Sequence, residues 1–96
     1  MKSTVTISIG NSDNKLAQSD WRYYCRHIND ILSLFDAAMT INFYGLTNSD
    51  SEYQSATWII EILSHHMDEL KEKLTKVRKS YNQVSIALVV GKTEFI

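Results

Sequence analysis

Hydrophobic residues in this chain recur with two different periods, and the order of these periods limits the possible folds. Residues 4–9 alternate between polar and apolar side chains, which predicts a half-buried β-strand. After that strand the apolar spacing becomes three or four residues, which predicts an amphipathic helix from Ser19, its N-cap, to about Ala37. The buried stripe of this helix consists of Trp21, Cys25, Ile28, Leu32 and Phe35.

The same two periods recur in the rest of the chain. A second strand should bury Ile41 and Phe43, and a third strand should occupy residues 55–62. Ser64 should cap a second helix, which a last strand over residues 84–90 follows. The order β-α-β-β-α-β predicts an α+β, ferredoxin-like fold, with a four-stranded antiparallel sheet and two helices on one face. We expect one domain over residues 1–96.

The composition excludes several classes of function but does not identify a specific one. Hydrophobic residues make up 44% of the 96 positions, charged residues make up 22%, and the net charge is -1, which argues against nucleic-acid binding. One cysteine, Cys25, excludes an internal disulfide, and its place on the helix stripe predicts packing rather than nucleophilic chemistry. There is no signal-peptide pattern and no apolar run that spans a membrane. We therefore expect a cytoplasmic protein without a membrane partner.

Two polar turns are the main functional signal. Residues 10–18 and 45–54 are rich in amide, carboxylate and hydroxyl side chains. In the predicted topology both turns lie at the same end of the sheet. We therefore expect a recognition site between them.

Each residue type at this end suggests a role. Backbone N–H groups near Gly10 can form an anion-binding nest, and Lys15 can add a positive charge. Asn11 and Asp13 can bond to a base or a ribose, and the nearby aromatic rings can form a wall. Alternatively, these polar residues only close the turns, and the tryptophans belong to the core. The candidate ligand-binding residues are Gly10, Asn11, Ser12, Asp13, Lys15, Trp21, Tyr44, Tyr53, Gln54 and Trp58.

Other candidate sites are weaker. His65 and His66 are adjacent and should diverge on a helix, so no metal site is expected there. No catalytic triad or carboxylate pair can be placed by spacing, and no cofactor is expected. The exposed sheet face lacks the aromatic residues of RNA-binding modules on its central strands. Its expected apolar members are Tyr44, Ile59, Ala87 and Val89, and we expect this surface to favour a homo-oligomer.

Three segments carry a resemblance to a known group of proteins. Residues 7–16 read ISIGNSDNKL, with Gln18 and Trp21 following; residues 53–58 read YQSATW, and residues 93–95 read TEF. Together they resemble a family of small proteins from phages and actinobacteria. This resemblance implies a phage or mobile-element origin, with the host cytoplasm as location, and links both turns and the C-terminal segment to function.

Three functions follow as hypotheses. The first is a non-catalytic binding protein that captures a small polar, nucleotide-like ligand and so counters host defence. The second is a protein–protein antagonist of a host nuclease or defence effector. The third is a small metal-dependent hydrolase that uses Asp13. Fold alone decides between none of them.

Overall fold

The computed structural model describes residues 2–11, 16–36, 41, 43–47, 54–92 and 94–96. The chain begins with strand β1 (Lys2–Gly10) and helix α1 (Gln18–Phe35). Strands β2 (Phe43–Leu46) and β3 (Ser55–Leu63) follow. A 3-10 turn (Ser64–His66) then leads into helix α2 (Met67–Ser80), and strand β4 (Ala87–Gly91) ends the fold.

The four strands form one antiparallel sheet in the order β2-β3-β1-β4. The two central strands pair along their whole length, from Lys2 opposite Leu63 to Gly10 opposite Ser55. Both helices pack on the sheet face that carries the buried alternate residues. The predicted α+β, ferredoxin-like fold is confirmed. No helix of the described residues is long and apolar enough to cross a bilayer.

The core lies between this sheet face and the two helices. Helix α1 contributes more to the core than α2, because six of its side chains are buried whereas α2 buries Leu70 and Leu74. The predicted α1 stripe is confirmed, and Tyr24 joins it. The strands contribute Val5, Ile7, Ile9, Ala56, Trp58, Ile60 and Ile62.

Both predicted N-caps are wrong. Helix α1 begins one residue before Ser19, and Ala17 occupies the capping position without a side-chain bond. Two hydrogen bonds instead join the Asn11 side chain to the backbone of Leu16, which lies just before the helix. Ser64 does not cap α2 either, because residues 64–66 form a 3-10 turn and α2 begins at Met67. The free backbone N–H groups at the start of a helix can be satisfied by a capping side chain, or the chain can enter the helix through a 3-10 turn.

Strand β2 has the opposite phase from the predicted one. Phe43 pairs with Ile59 and Tyr44 pairs with Trp58, so Tyr44 faces the helices and Phe43 faces away from them. Phe43 is half exposed, whereas Tyr44 stacks on the buried indole of Trp58. The placement of Tyr44 on the exposed face is therefore wrong. In a short edge strand, the stabilisation from stacking an aromatic ring on a buried partner can decide which residues face the core, whatever the alternation of the sequence predicts.

Candidate functional site

Asn11 joins the two polar turns at the end of the sheet. Its backbone N–H donates to the carbonyl of Gln54 at 2.8 Å. Its side-chain Nδ2 donates to the carbonyl of Leu16 and to Oε1 of Gln54, and its Oδ1 accepts from the N–H of Leu16. The side chain is 1% exposed. Asn11 thus uses its polar atoms within the protein, as in the turn-closing interpretation.

Gln54 and Gln18 extend this network toward the protein surface. Their side-chain amides pair reciprocally, with Nε2 of Gln54 donating to Oε1 of Gln18 at 2.8 Å and the reverse bond at 3.0 Å. Gln18 is the first residue of α1 and Gln54 directly precedes β3, so the pair connects these two elements. Gln54 is buried and Gln18 is exposed. The described ends of the two polar turns therefore meet through side-chain hydrogen bonds.

Several candidate residues at this end lie outside the described residues, namely Ser12, Asp13, Lys15 and Tyr53. Gly10 is described and pairs with Ser55 in the sheet. The neighbouring N–H of Asn11 already donates to Gln54, so this amide is not free to contact an anion. Within the described residues, no nest of free N–H groups is present at Gly10.

The two tryptophans belong to the core, and Tyr44 covers one of them. Trp21 is 3% exposed and Trp58 is fully buried. The ring of Tyr44 stacks on Trp58 with centroids 5.0 Å apart and planes at 20°. The indole N–H of Trp58 donates to Oδ1 of Asn29 on α1. Among the described members of the predicted aromatic wall, Tyr44 is therefore the one that offers a large exposed surface.

A groove of about 420 Å³ lies between α1 and the edge strand β2. Its wall on the helix side is one stripe of α1, at a spacing of three or four residues. Its other wall is β2 and the start of β3. The lining residues are Gln18, Trp21, Arg22, Cys25, Arg26, Asn29, Tyr44, Leu46, Thr47 and Gln54. Three of the predicted ligand-binding residues, Trp21, Tyr44 and Gln54, are among them.

Arg22 and Arg26 give this groove a positive charge, and neither was among the sequence candidates. They lie one helical turn apart and both are exposed. Within the described part of the chain, no carboxylate pairs with either guanidinium. Arg26 lies 5.9 Å from the ring centroid of Tyr23. The sequence does contain a signal for these two residues. Gln18, Arg22 and Arg26 follow one another at steps of four, so they lie on one face of α1 beside its buried stripe.

Cys25 lies at the base of the groove as a protonated thiol. Burial raises its pKa from 9.0 to about 11, so the thiolate is scarce at neutral pH. The pKa of Tyr44 is raised as well, first by burial and then by Cys25. Neither group is activated as a nucleophile or base near pH 7.

The opposite end of the sheet contains His65 and His66. Their ring centroids are 4.1 Å apart, so the expected divergence is wrong, because the segment is a 3-10 turn rather than an α-helix. His66 also packs edge-on against Phe35 at the end of α1. No group of three or more potential metal ligands occurs among the described residues.

Comparisons of this chain with protein-family models, with curated proteins and with solved structures found no match.

Proposed function

We propose that this protein is a non-catalytic binding protein for a small ligand that combines an anionic group with a planar ring, as a mononucleotide does. The groove between α1 and β2 is the binding site. The observation that carries the proposal is that Arg22 and Arg26, which form no ion pair with another described residue, lie in the same groove as the stacked ring of Tyr44.

The size of the groove suits this ligand class. Small-molecule sites usually enclose about 300–1,000 Å³, and this groove has about 420 Å³. That volume accommodates one base, ribose and phosphate more readily than a dinucleotide. Six of the ten lining residues are polar or charged and four are apolar or aromatic, so the groove offers both hydrogen-bonding groups and an apolar surface.

Two features of the groove would recognise two parts of the ligand. Guanidinium groups bind phosphate or carboxylate through paired N–H donors, and two of them lie one turn apart here. Tyr44 is 44% exposed and already supported by Trp58, so its ring can stack on a base without moving. Asn29 keeps its side-chain N–H donors without a partner among the described residues and can bond to a base or ribose oxygen.

The resemblance to small phage and actinobacterial proteins supports a biological role for such binding. A phage or mobile-element protein that sequesters a nucleotide signal would blunt a host defence that uses this signal. A binding protein acts by mass action, so it needs no catalytic group. The protonated Cys25 thiol at the base of the groove is consistent with this role.

Calorimetry against mononucleotides, cyclic nucleotides and ADP-ribose derivatives tests the proposal. We expect saturable binding of at least one of them, and a loss of affinity of about tenfold or more in Arg22→Gln and in Arg26→Gln. Lys73→Gln is the matched control, because it removes one positive charge from the exposed surface of α2. The absence of binding across the panel, or equal affinity in all variants, would contradict the proposal.

A further inference from the structure

The sheet face turned away from the helices carries a row of residues across all four strands, of which three are apolar and one is a threonine. The strand registers place Phe43, Ile59, Thr6 and Val89 side by side in the order β2-β3-β1-β4. Phe43 is 50% exposed and Val89 is 60% exposed. A mostly apolar row of this kind on an uncovered sheet is typical of a contact surface.

The surface around this row is flat. The next row consists of Gly45, Thr57, Ser8 and Ala87, all of which have small side chains. A β-carbon on Gly45 would lie 2.8 Å from Cζ of Phe43, so the phenyl ring lies across the glycine, close to the sheet. Two flat sheets of this kind can approach to the spacing of about 10 Å that is usual in packed sheets.

In the described strands, this face carries one acidic and one basic side chain, which could pair with each other between two copies of the chain. Glu61 and Lys2 lie on this face, near the same end of the two central strands. Neither side chain forms an ion pair with another described residue. One negative and one positive charge at the same end favour a two-fold partner of the same sequence, in which each charge meets its opposite.

The area also fits a dimer. The two central strands have nine residues each, β2 has four and β4 has five, so at about 3.4 Å per residue and 4.8 Å between strands the face spans about 440 Å². A standard interface buries about 800 Å² on each partner. The strands supply about half of that area, which fits a weak, reversible dimer at the low end of interface sizes.

We infer that the protein forms a two-fold dimer through this open sheet face, with the axis parallel to the central strands and between β1 and β3. In this arrangement Phe43 lies opposite Val89 of the partner subunit, and Ile59 lies opposite Thr6 of the partner subunit. Glu61 comes next to Lys2 of the partner subunit. The large ring of one copy then packs against the smaller side chain of the other. The α1–β2 groove lies on the other face of the sheet and stays accessible.

Sedimentation equilibrium over a concentration series tests the dimer, and it does not depend on the proposed ligand. We expect reversible dimerisation of the wild type, and a rise in the dissociation constant of about tenfold or more in Ile59→Lys. Leu34→Lys is the matched control, because Leu34 is exposed on α1 away from this face. A wild type that stays monomeric, or an Ile59→Lys variant that dimerises as tightly as the control, would overturn the inference.

Charge exchange and cross-linking test the orientation. Glu61→Lys and Lys2→Glu should each weaken the dimer, and the two substitutions together should restore it. Phe43→Cys mixed with Val89→Cys should form a disulfide-linked heterodimer, whereas neither variant alone should cross-link efficiently. Cross-linking of Phe43→Cys with itself in preference to Val89→Cys would overturn this axis.

Discussion

The hydroxyl of Tyr24 lies in the core and has no hydrogen-bond partner among the described residues. The side chain is fully buried and its ring stacks on Tyr81, with centroids 4.8 Å apart. A buried hydroxyl without a partner costs about 1–3 kcal/mol. The ring therefore contributes to the core, whereas the hydroxyl opposes folding.

Tyr24→Phe should raise the free energy of unfolding by about 1 kcal/mol, because it removes the unsatisfied hydroxyl and keeps the ring. Chemical denaturation measures this change. The matched control is Tyr81→Phe, which removes a hydroxyl that bonds to Nδ1 of His27 at 2.6 Å. The control should lower the free energy of unfolding by about 0.5–1.5 kcal/mol. A destabilised Tyr24→Phe variant would mean that the hydroxyl has a partner.

Helix α2 ends in a turn that requires a left-handed residue. Asn82 has a φ angle of 56°. The N–H of Gln83 donates to the carbonyl of Arg78, and the N–H of Asn82 donates to the carbonyl of Lys79, which is the Schellman pattern. Nη1 of Arg78 also donates to the carbonyls of Gln83 and Val84. These bonds connect the helix to the segment that leads into β4.

Asn82→Gly should stabilise the protein by up to about 1 kcal/mol, because glycine adopts a positive φ angle without steric cost. Asn82→Val should destabilise it by about 1–2 kcal/mol, since a β-branched residue is strained there. Thermal unfolding of both variants measures these changes. Equal stability of the glycine and valine variants would contradict the left-handed assignment.

Periodicity predicted the elements better than it predicted their ends and phases. The buried stripes of α1 and β3 agree with the structure because these elements contribute most of the core. Strand β2 lies at the edge and has four residues, so alternation alone could not tell whether Phe43 or Tyr44 faces inward. The stacking of Tyr44 on Trp58 depends on strand register, which a single sequence does not specify.

The candidate site was predicted only in part. Topology predicts that the two polar turns lie at one end of the sheet, and the described ends of the two turns meet there. The sequence predicts Asn11 as a ligand contact, whereas in the structure its side chain bonds to the backbone of Leu16. Arg22 and Arg26 were missed because their importance comes from the neighbouring β2 wall, which only the folded chain brings to them.

Buried acidic groups make the whole molecule sensitive to alkaline pH. Burial raises the pKa of Cys25 from 9.0 to about 11 and that of Tyr24 from 10.0 to about 12. Above about pH 9 the unfolded chain therefore loses these protons more readily than the folded protein does. Their contribution to stability is complete below the unfolded pKa values and is lost as the pH rises through the folded ones.

The free energy of unfolding should therefore fall between about pH 9 and about pH 12, by at most about 1.4 kcal/mol per pH unit for each group. Urea denaturation across this range measures the fall. The double variant Cys25→Ala, Tyr24→Phe should show a shallower fall than the wild type. Parallel curves for the two proteins would contradict the assignment to these residues.

At the scale of the whole molecule, we propose that a ligand binds in the α1–β2 groove. An amide ¹H–¹⁵N NMR titration with AMP and related nucleotides tests this proposal. We expect saturable shift changes concentrated at Gln18–Asn29 of α1 and at Tyr44–Thr47, and their loss in the Arg22→Gln, Arg26→Gln double variant. Unchanged spectra across the nucleotide panel, or shift changes confined to the open sheet face around Ile59, would contradict it.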